Sequence, residues 1–425
     1  MKSTFFAAAV ACCVAAPAMA QSSVQIYGIA DAGLMKTKNM PAKVVSGIAD
    51  GSRLGFKGTE DIGGGYKAIF NLEARVELDT GTQVPTLISD NPGLYLTRGM
   101  QAFPAPVLAA MRSAIQPKNG PAVNPERALF DRTAMVGLVT PVGAVLIGRM
   151  YTPGYEVFAA ADAFETGTAG TWGGITGGTA GFTALGADIR SQKSIQYRIA
   201  TPAGISGSLM YGTKQSGYLG RYNRFLGAML AYKANGFDVG IGHNRGTDQS
   251  DRTSLVSTTV GGSYTMGDWK LFAGYHDQRN HHSVLLADYL AAYNAQIVPG
   301  MRALGVPEAQ IAGLGAIFTN AISANSQVDA NSYQLGLHYR IGAGRIMASV
   351  ARQNDRTASN SDATLMAIGY DYNVSKRTDI YTVFANIKNQ NDGQYTPGAA
   401  GSPGGFTLVP GEDSHAVQVG IRHRF

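Results

Sequence analysis

Tyr66-Lys67-Ala68-Ile69-Phe70-Asn71-Leu72-Glu73-Ala74-Arg75-Val76-Glu77-Leu78 sets Tyr66, Ala68, Phe70, Leu72, Ala74, Val76 and Leu78 on one face and Lys67, Asn71, Glu73, Arg75 and Glu77 on the other. A period of two marks a β-strand, and the stretch lacks the i, i+3, i+4 spacing of an amphipathic helix. Strands of soluble sandwiches average ~5–6 residues. A tilted strand that crosses a bilayer takes ~9–11, with one face on lipid and the other on water. The pattern recurs. Tyr333, Leu335, Leu337, Tyr339 and Ile341 oppose Gln334, Gly336, His338 and Arg340, and Phe237, Val239 and Ile241 oppose Asp238, Gly240 and Gly242.

Between such segments, short and long connections alternate. The short ones carry turn residues: Asp61 to Gly65, Thr140 to Gly143, Pro202 to Gly204, Ala234 to Gly236, Met266 to Asp268, Gly342 to Gly344 and Val374 to Arg377. The long loops lie near 80–126, 151–188, 280–330 and 390–412. Short turns below and long loops above are the signature of an outer-membrane barrel. The strands number sixteen, near 24–36, 44–58, 65–79, 128–140, 142–150, 189–201, 204–214, 222–234, 236–246, 252–266, 268–279, 331–342, 344–354, 362–374, 377–388 and 413–425. An even number closes the sheet with both ends on one side and leaves no edge facing lipid. The predicted fold is therefore an all-β transmembrane antiparallel barrel of sixteen strands, a single domain over 21–425.

Two long loops contain helical patterns. Pro104 to Ile115 reads as a short helix, and Ser283 to Val298 and Pro307 to Ile322 are Ala/Leu-rich with helical spacing. Their plain reading is packing over the barrel mouth; the sharper one is a plug or docking surface.

Bulk properties agree with a membrane barrel. Charged residues make up only 15% of the chain, low for a soluble protein of this length, and 54 of 425 residues are glycine, which favours turns and close backbone packing. Past the N-terminus no apolar run reaches the ~18–20 residues of a spanning helix. Residues 1–20 read as a signal peptide: Lys2, an apolar stretch from Phe5 to Ala16, and Ala18-Met19-Ala20 for cleavage. Cys12 and Cys13 both lie inside it, so a mature chain from Gln21 has no thiolate chemistry, disulfide or cysteine metal site. The formal charge of +6 falls to +5 without Lys2, with no run of basic residues, and export argues against nucleic acid. The last strand alternates to its end: Val417, Val419, Ile421, His423 and Phe425 oppose Gln418, Gly420, Arg422 and Arg424. A terminal phenylalanine on such a strand resembles the assembly signal of outer-membrane barrels, with the barrel assembly machinery as its partner.

Several stretches resemble the Gram-negative general porins of the neisserial, β-proteobacterial type. Ser23 to Asp31 is similar to their opening strand. Gly51-Ser52-Arg53-Leu54-Gly55-Phe56-Lys57-Gly58-Thr59-Glu60-Asp61, followed by Gly63-Gly64-Gly65, is the most specific match. Val145 to Arg149, Ser375 to Thr378 and Val419 to Phe425 complete it. The resemblance implies a homotrimer in the outer membrane, among lipid and lipopolysaccharide, whose third loop folds into the lumen as a constriction.

For the constriction it implies a basic wall of Arg53, Arg75, Arg132, Arg149, Arg190 and Arg198 opposite an acidic third loop carrying Glu156, Asp162, Glu165 and Asp188. Arginine holds its charge at any relevant pH and pairs with carboxylate or phosphate. The alternative is that each is simply a solvated lumen or loop charge. Arg190 shares a face with Gln196 and Arg198. Arg132 falls in parity with Ala134, Val136 and Leu138, so only a bulge or a loop position brings it inward. A basic ring favours anions, and the acidic loop opposes that preference.

The expected function is passive diffusion of small ions and hydrophilic solutes, with no enzyme activity, cofactor or metal. The alternative is a surface adhesin, or a solute-specific channel whose long loops form the binding surface. An outer-membrane barrel hydrolase would need a serine–histidine pair that the sequence does not display. His276, Asp277, His281 and His282 lack the spacing of a metal site, and Tyr27, Phe56, Tyr66, Tyr197 and Tyr339 read as interfacial aromatics.

Overall fold

The computed structural model describes residues 23–83, 97–115, 128–176, 188–214, 222–283, 285–400 and 404–425. Residues 1–20, read as the signal peptide, lie outside that set. The strands are β1 (Ser23–Thr37), β2 (Lys43–Ser46), β3 (Arg53–Gly63), β4 (Tyr66–Arg75), β5 (Thr133–Thr140) and β6 (Gly143–Tyr151). They continue as β7 (Arg190–Ala200), β8 (Ile205–Gly212), β9 (Arg224–Ala234), β10 (Phe237–Thr247), β11 (Thr253–Met266) and β12 (Trp269–Asn280). The last five are β13 (Val328–Ile341), β14 (Gly344–Asp355), β15 (Ala363–Asn373), β16 (Thr378–Asn389) and β17 (Ser414–Arg424).

All belong to one antiparallel sheet. β1 closes it, pairing through Ser23 to Ile29 with β3 and through Ile29 to Thr37 with β17. Phe425 seals the seam: its amide donates to the Gly28 carbonyl at 3.1 Å, and the Gly28 amide donates to the Phe425 carbonyl at 3.0 Å. Because β2 and β3 are two pieces of one crossing, both paired to β1, the barrel has sixteen strands.

Alternation sorts the two faces as the sequence implies. Val417, Val419 and Ile421 are exposed on the outer wall, while Gln418 and Arg422 are buried inside. At the short-turn end, Phe237 packs on Tyr264 and Trp269 on Tyr339, both pairs 4.4 Å between ring centroids. Tyr27 departs from its expected girdle position. It faces inward, its hydroxyl 2.8 Å from Asn71 Oδ1 and 3.1 Å from Glu73 Oε2.

The second strand was expected to run unbroken over 44–58, but it opens at 47–52. The cause is Asp31, whose buried carboxylate accepts the amides of Ile48 (3.2 Å), Ala49 (3.0 Å) and Asp50 (2.7 Å). These amides would otherwise pair with a neighbouring strand. The third and fourth strands also stop short of their expected ends, because the Asp131 carboxylate accepts the Arg75 amide at 2.8 Å. β13 starts earlier than expected, its ladder with β12 reaching Asn280 opposite Val328.

The helical loop segments form helices. α1 (Ala105–Ile115) lies in the second loop and α2 (Pro153–Ala161) in the third. The sixth loop carries α3 (Leu285–Ala292), a π-helical turn (Tyr293–Ile297), α4 (Val298–Ala303) and α5 (Glu308–Asn325). Met100, Phe103 and Met111 of the second loop share one apolar core with Tyr293, Phe318 and Ile322 of the sixth.

Candidate pore constriction

The third loop leaves β6 at Thr152, whose hydroxyl accepts the Tyr155 amide at 3.3 Å and caps α2, with Pro153 in the first turn. From there it follows the inner wall. Glycines on the wall make room: a methyl group at Gly242 would lie 2.8 Å from Gly154 Cα, and one at Gly274 2.6 Å from the Trp172 ring. Inward-facing amides and hydroxyls of the strands then hold it. The Ala163 amide donates to Gln334 Oε1 (2.9 Å), Trp172 Nε1 to Ser332 Oγ (3.0 Å) and the Ala169 amide to Gln418 Oε1 (2.7 Å). Finally the Thr168 amide donates to the Ile48 carbonyl at 2.6 Å, in the gap that Asp31 opens. The loop thus runs inside the barrel from β6 past β13 to β17 and the break in the second strand.

Arginines gather where this loop begins. Arg53 and Arg75 face each other in register on β3 and β4. Arg132 precedes β5 rather than lying in it, which resolves its awkward parity. Its side chain turns inward, with Nε 2.5 Å from Glu73 Oε1 and Nη2 donating to the Tyr151 hydroxyl at 3.1 Å. Arg53 ion-pairs with Asp50 and approaches Glu73 at 3.7 Å. Arg75 pairs with Glu77 at 2.9 Å and lies 3.6 Å from Asp131. Arg190 donates to the same Tyr151 hydroxyl at 2.7 Å, and its guanidinium carbon sits 4.3 Å from the centre of that ring. Tyr151 in turn stacks on Tyr155 at 5.3 Å. Arg149 donates to the Asp131 carbonyl at 2.6 Å, so it braces the start of β5 rather than meeting a lumen carboxylate.

The acidic loop residues do not face these arginines. Glu156 pairs with Arg198 through two bonds of 2.8 and 2.5 Å, which separates Arg198 from the cluster. Glu165 takes a bidentate bond from Arg345 at 2.6 and 2.8 Å, near Asp371 and Arg422. Burial opposes ionisation of Glu165, but the bonds and charge of Arg345 outweigh it and hold its pKa down at about 2. Asp162 accepts the Phe164 amide (2.9 Å), the Thr166 amide (3.1 Å) and the Thr171 hydroxyl (2.6 Å) within the loop and the Gln334 side-chain amide of β13 (3.3 Å), and burial pushes its pKa up. Asp188 accepts from Asn244 (2.6 Å) and Ser257 (2.9 Å), and burial, partly offset by those bonds, raises its pKa to about 6. The carboxylates that do meet the arginines are Asp50, Glu73, Glu77 and Asp131. Inward parity with Arg75 in the opening stretch was a signal for Glu73 and Glu77; nothing local marked Asp50 or Asp131.

Consecutive residues His276 and Asp277 point to opposite faces. His276 is buried against Phe158 and Trp172 and bonded to Thr259, while Asp277 pairs with Arg356 at 2.8 Å. Among the described residues no group of three or more metal-ligating side chains stands together.

The sequence profile described as Gram-negative porin matches residues 7–392. Outer membrane porin protein 32 of Delftia acidovorans is 27% identical over the whole of both chains. An outer membrane porin protein of Bordetella pertussis is 25% identical, again over both whole chains. Among solved structures, an anion-selective porin from Comamonas acidovorans superposes with a TM-score of 0.67 at 23% identity, over 95% of this chain and 100% of that one. The trimer form of OmpT of Vibrio cholerae gives 0.58 at 13% identity, over 95% and 99%. The profile spans most of a chain whose strands close into a sixteen-stranded barrel with its third loop inside, and the chain accordingly belongs to the Gram-negative porins, the barrels of the outer membrane.

Proposed function

We propose that this protein is a passive diffusion channel for small hydrophilic solutes, with a preference for anions set at the arginine cluster. One observation carries the preference. Among the described residues, the guanidinium of Arg190 bonds to the hydroxyl of Tyr151, and no carboxylate forms an ion pair with it. Arg53, Arg75 and Arg132 have carboxylates beside them, and the loop carboxylates that could oppose Arg190 are bound elsewhere. A fixed positive charge beside a water-filled bore, its field focused by the protein walls, raises the local concentration of anions. We further propose that residues 1–20 direct export and are removed, and that the barrel works as a homotrimer. The whole-length likeness to two outer-membrane porins supports the channel reading.

The test is the reversal potential of the purified protein in a planar bilayer under a potassium chloride gradient. A potential of the sign set by chloride supports the proposal, and one set by potassium refutes it. Conductance in steps of three equal levels supports the trimer.

A further inference from the structure

The second and sixth loops spring from opposite sides of the barrel. The second joins β4 to β5, the third and fourth crossings; the sixth joins β12 to β13, the eleventh and twelfth. Their roots are half a circumference apart, yet the loops meet. Phe103 packs edge-on against Tyr293 at 6.3 Å between centroids, and Tyr293 stacks on Phe318 at 4.2 Å. Met100 and Met111 on one side and Ile322 on the other are buried in the same core. Polar contacts tie the second loop to the far rim as well. The Asn325 side chain donates to the Arg98 carbonyl at 3.0 Å, while the Arg98 guanidinium reaches Ser359 (3.3 Å) and Asp392 (3.2 Å) beyond β14 and β16.

We infer that this junction is a standing roof over the outer mouth and that it, together with the constriction, decides which solutes enter by size. Two loops rooted on opposite walls cannot share a packed core without spanning the opening between them. The core is built like a domain interior, with stacked aromatics and fully buried methionines, and so has one arrangement rather than a range of them. Charge selection and size selection therefore lie on separate parts of the chain: the first on strand-borne arginines, the second on Phe103, Tyr293 and their neighbours. The inference rests on the channel reading.

The experiment is swelling of proteoliposomes in neutral sugars of increasing size, from mono- to trisaccharide, with reversal potential measured alongside. Phe103→Ala combined with Tyr293→Ala should shift the size cut-off towards larger sugars and leave the reversal potential unchanged. An unchanged cut-off in a variant that retains the heat-modifiable barrel overturns the roof. Should that variant fail to fold, Phe103→Cys with Tyr293→Cys, in the mature chain from Gln21, can be bridged by a short bismaleimide. Bridging should proceed in the folded protein and leave the wild-type cut-off in place. Failure to bridge two thiols that each react with a monofunctional maleimide, or a cut-off that narrows on bridging, shows that the junction is open at rest and overturns the inference. No swelling of wild-type liposomes even in the smallest sugar would instead strike at the channel reading itself.

Discussion

Replacing Arg190 with alanine should weaken anion preference without harming the barrel, and the size of the effect follows from the geometry. Arg190 holds its guanidinium 4.3 Å from the Tyr151 ring centre, beside the lumen. A chloride passing at ~4 Å from that charge gains about 1 kcal/mol if the intervening medium behaves as bulk water, and about 4 kcal/mol at the effective dielectric of a protein surface. A water-filled bore is nearer the first limit. Removing about 1 kcal/mol lowers chloride occupancy about fivefold, since 1.4 kcal/mol is about tenfold, and the chloride-to-potassium permeability ratio should fall by at least that factor. The structural cost is limited to one cation–π contact of roughly 0.5–1 kcal/mol and the charged hydrogen bond to the Tyr151 hydroxyl, about 1.5–3 kcal/mol, with Tyr151 still held by Arg132 at 3.1 Å. Arg190→Lys keeps the charge and should keep most of the preference. The assay is the reversal potential across a salt gradient at low ionic strength, where screening is weakest. A ratio unchanged in Arg190→Ala, or reduced equally in Arg190→Lys, would refute the claim that this charge sets selectivity.

Other expectations follow from the same contacts. Trp172→Ala removes the fully buried anchor of the third loop and its bond to Ser332; large aromatic truncations cost about 3–5 kcal/mol, which should appear as noisy, enlarged single-channel conductance from a freed loop. Conductance identical to wild type would show that the loop is held without Trp172. Asp31→Ala strands three backbone amides and the Tyr381 hydroxyl that now bond to its carboxylate. At about 1–3 kcal/mol for each orphaned group, the thermal midpoint of the barrel in detergent should drop sharply, and Asp31→Asn should recover part of it. For Glu165 the folded pKa of about 2 lies below its ordinary value of 4.5. Its clamp on Arg345 therefore contributes fully above pH 4.5 and is lost as pH falls through about 2. Glu165→Gln should flatten acid sensitivity in that window, read from barrel melting against pH, while the two proteins should respond alike between pH 5 and 8.

The barrel was legible because its signal is local. Each crossing declares its two faces within ten or so residues, as in Tyr66 to Leu78 or Val417 to Phe425, and period-two chemistry needs no knowledge of the neighbouring strand. Turn glycines and the helical spacing of the second and sixth loops are equally short-range. The gathering of Arg53, Arg75, Arg132 and Arg190 followed from resemblance and parity together, although parity alone misplaced Arg132, which precedes its strand.

What the tertiary structure alone decided depends on pairs far apart in the chain. Asp31 breaks the second strand because Tyr381, 350 residues away, and the loop amides share its carboxylate. Glu156 and Glu165 turn from the arginine cluster because Arg198 and Arg345, carried on β7 and β14, reach them first. The second and sixth loops meet because closure of the sheet brings opposite rims within one opening. A sequence pattern records which face a side chain takes; which partner waits on that face is settled only when sixteen strands close and every charge competes for the nearest opposite one.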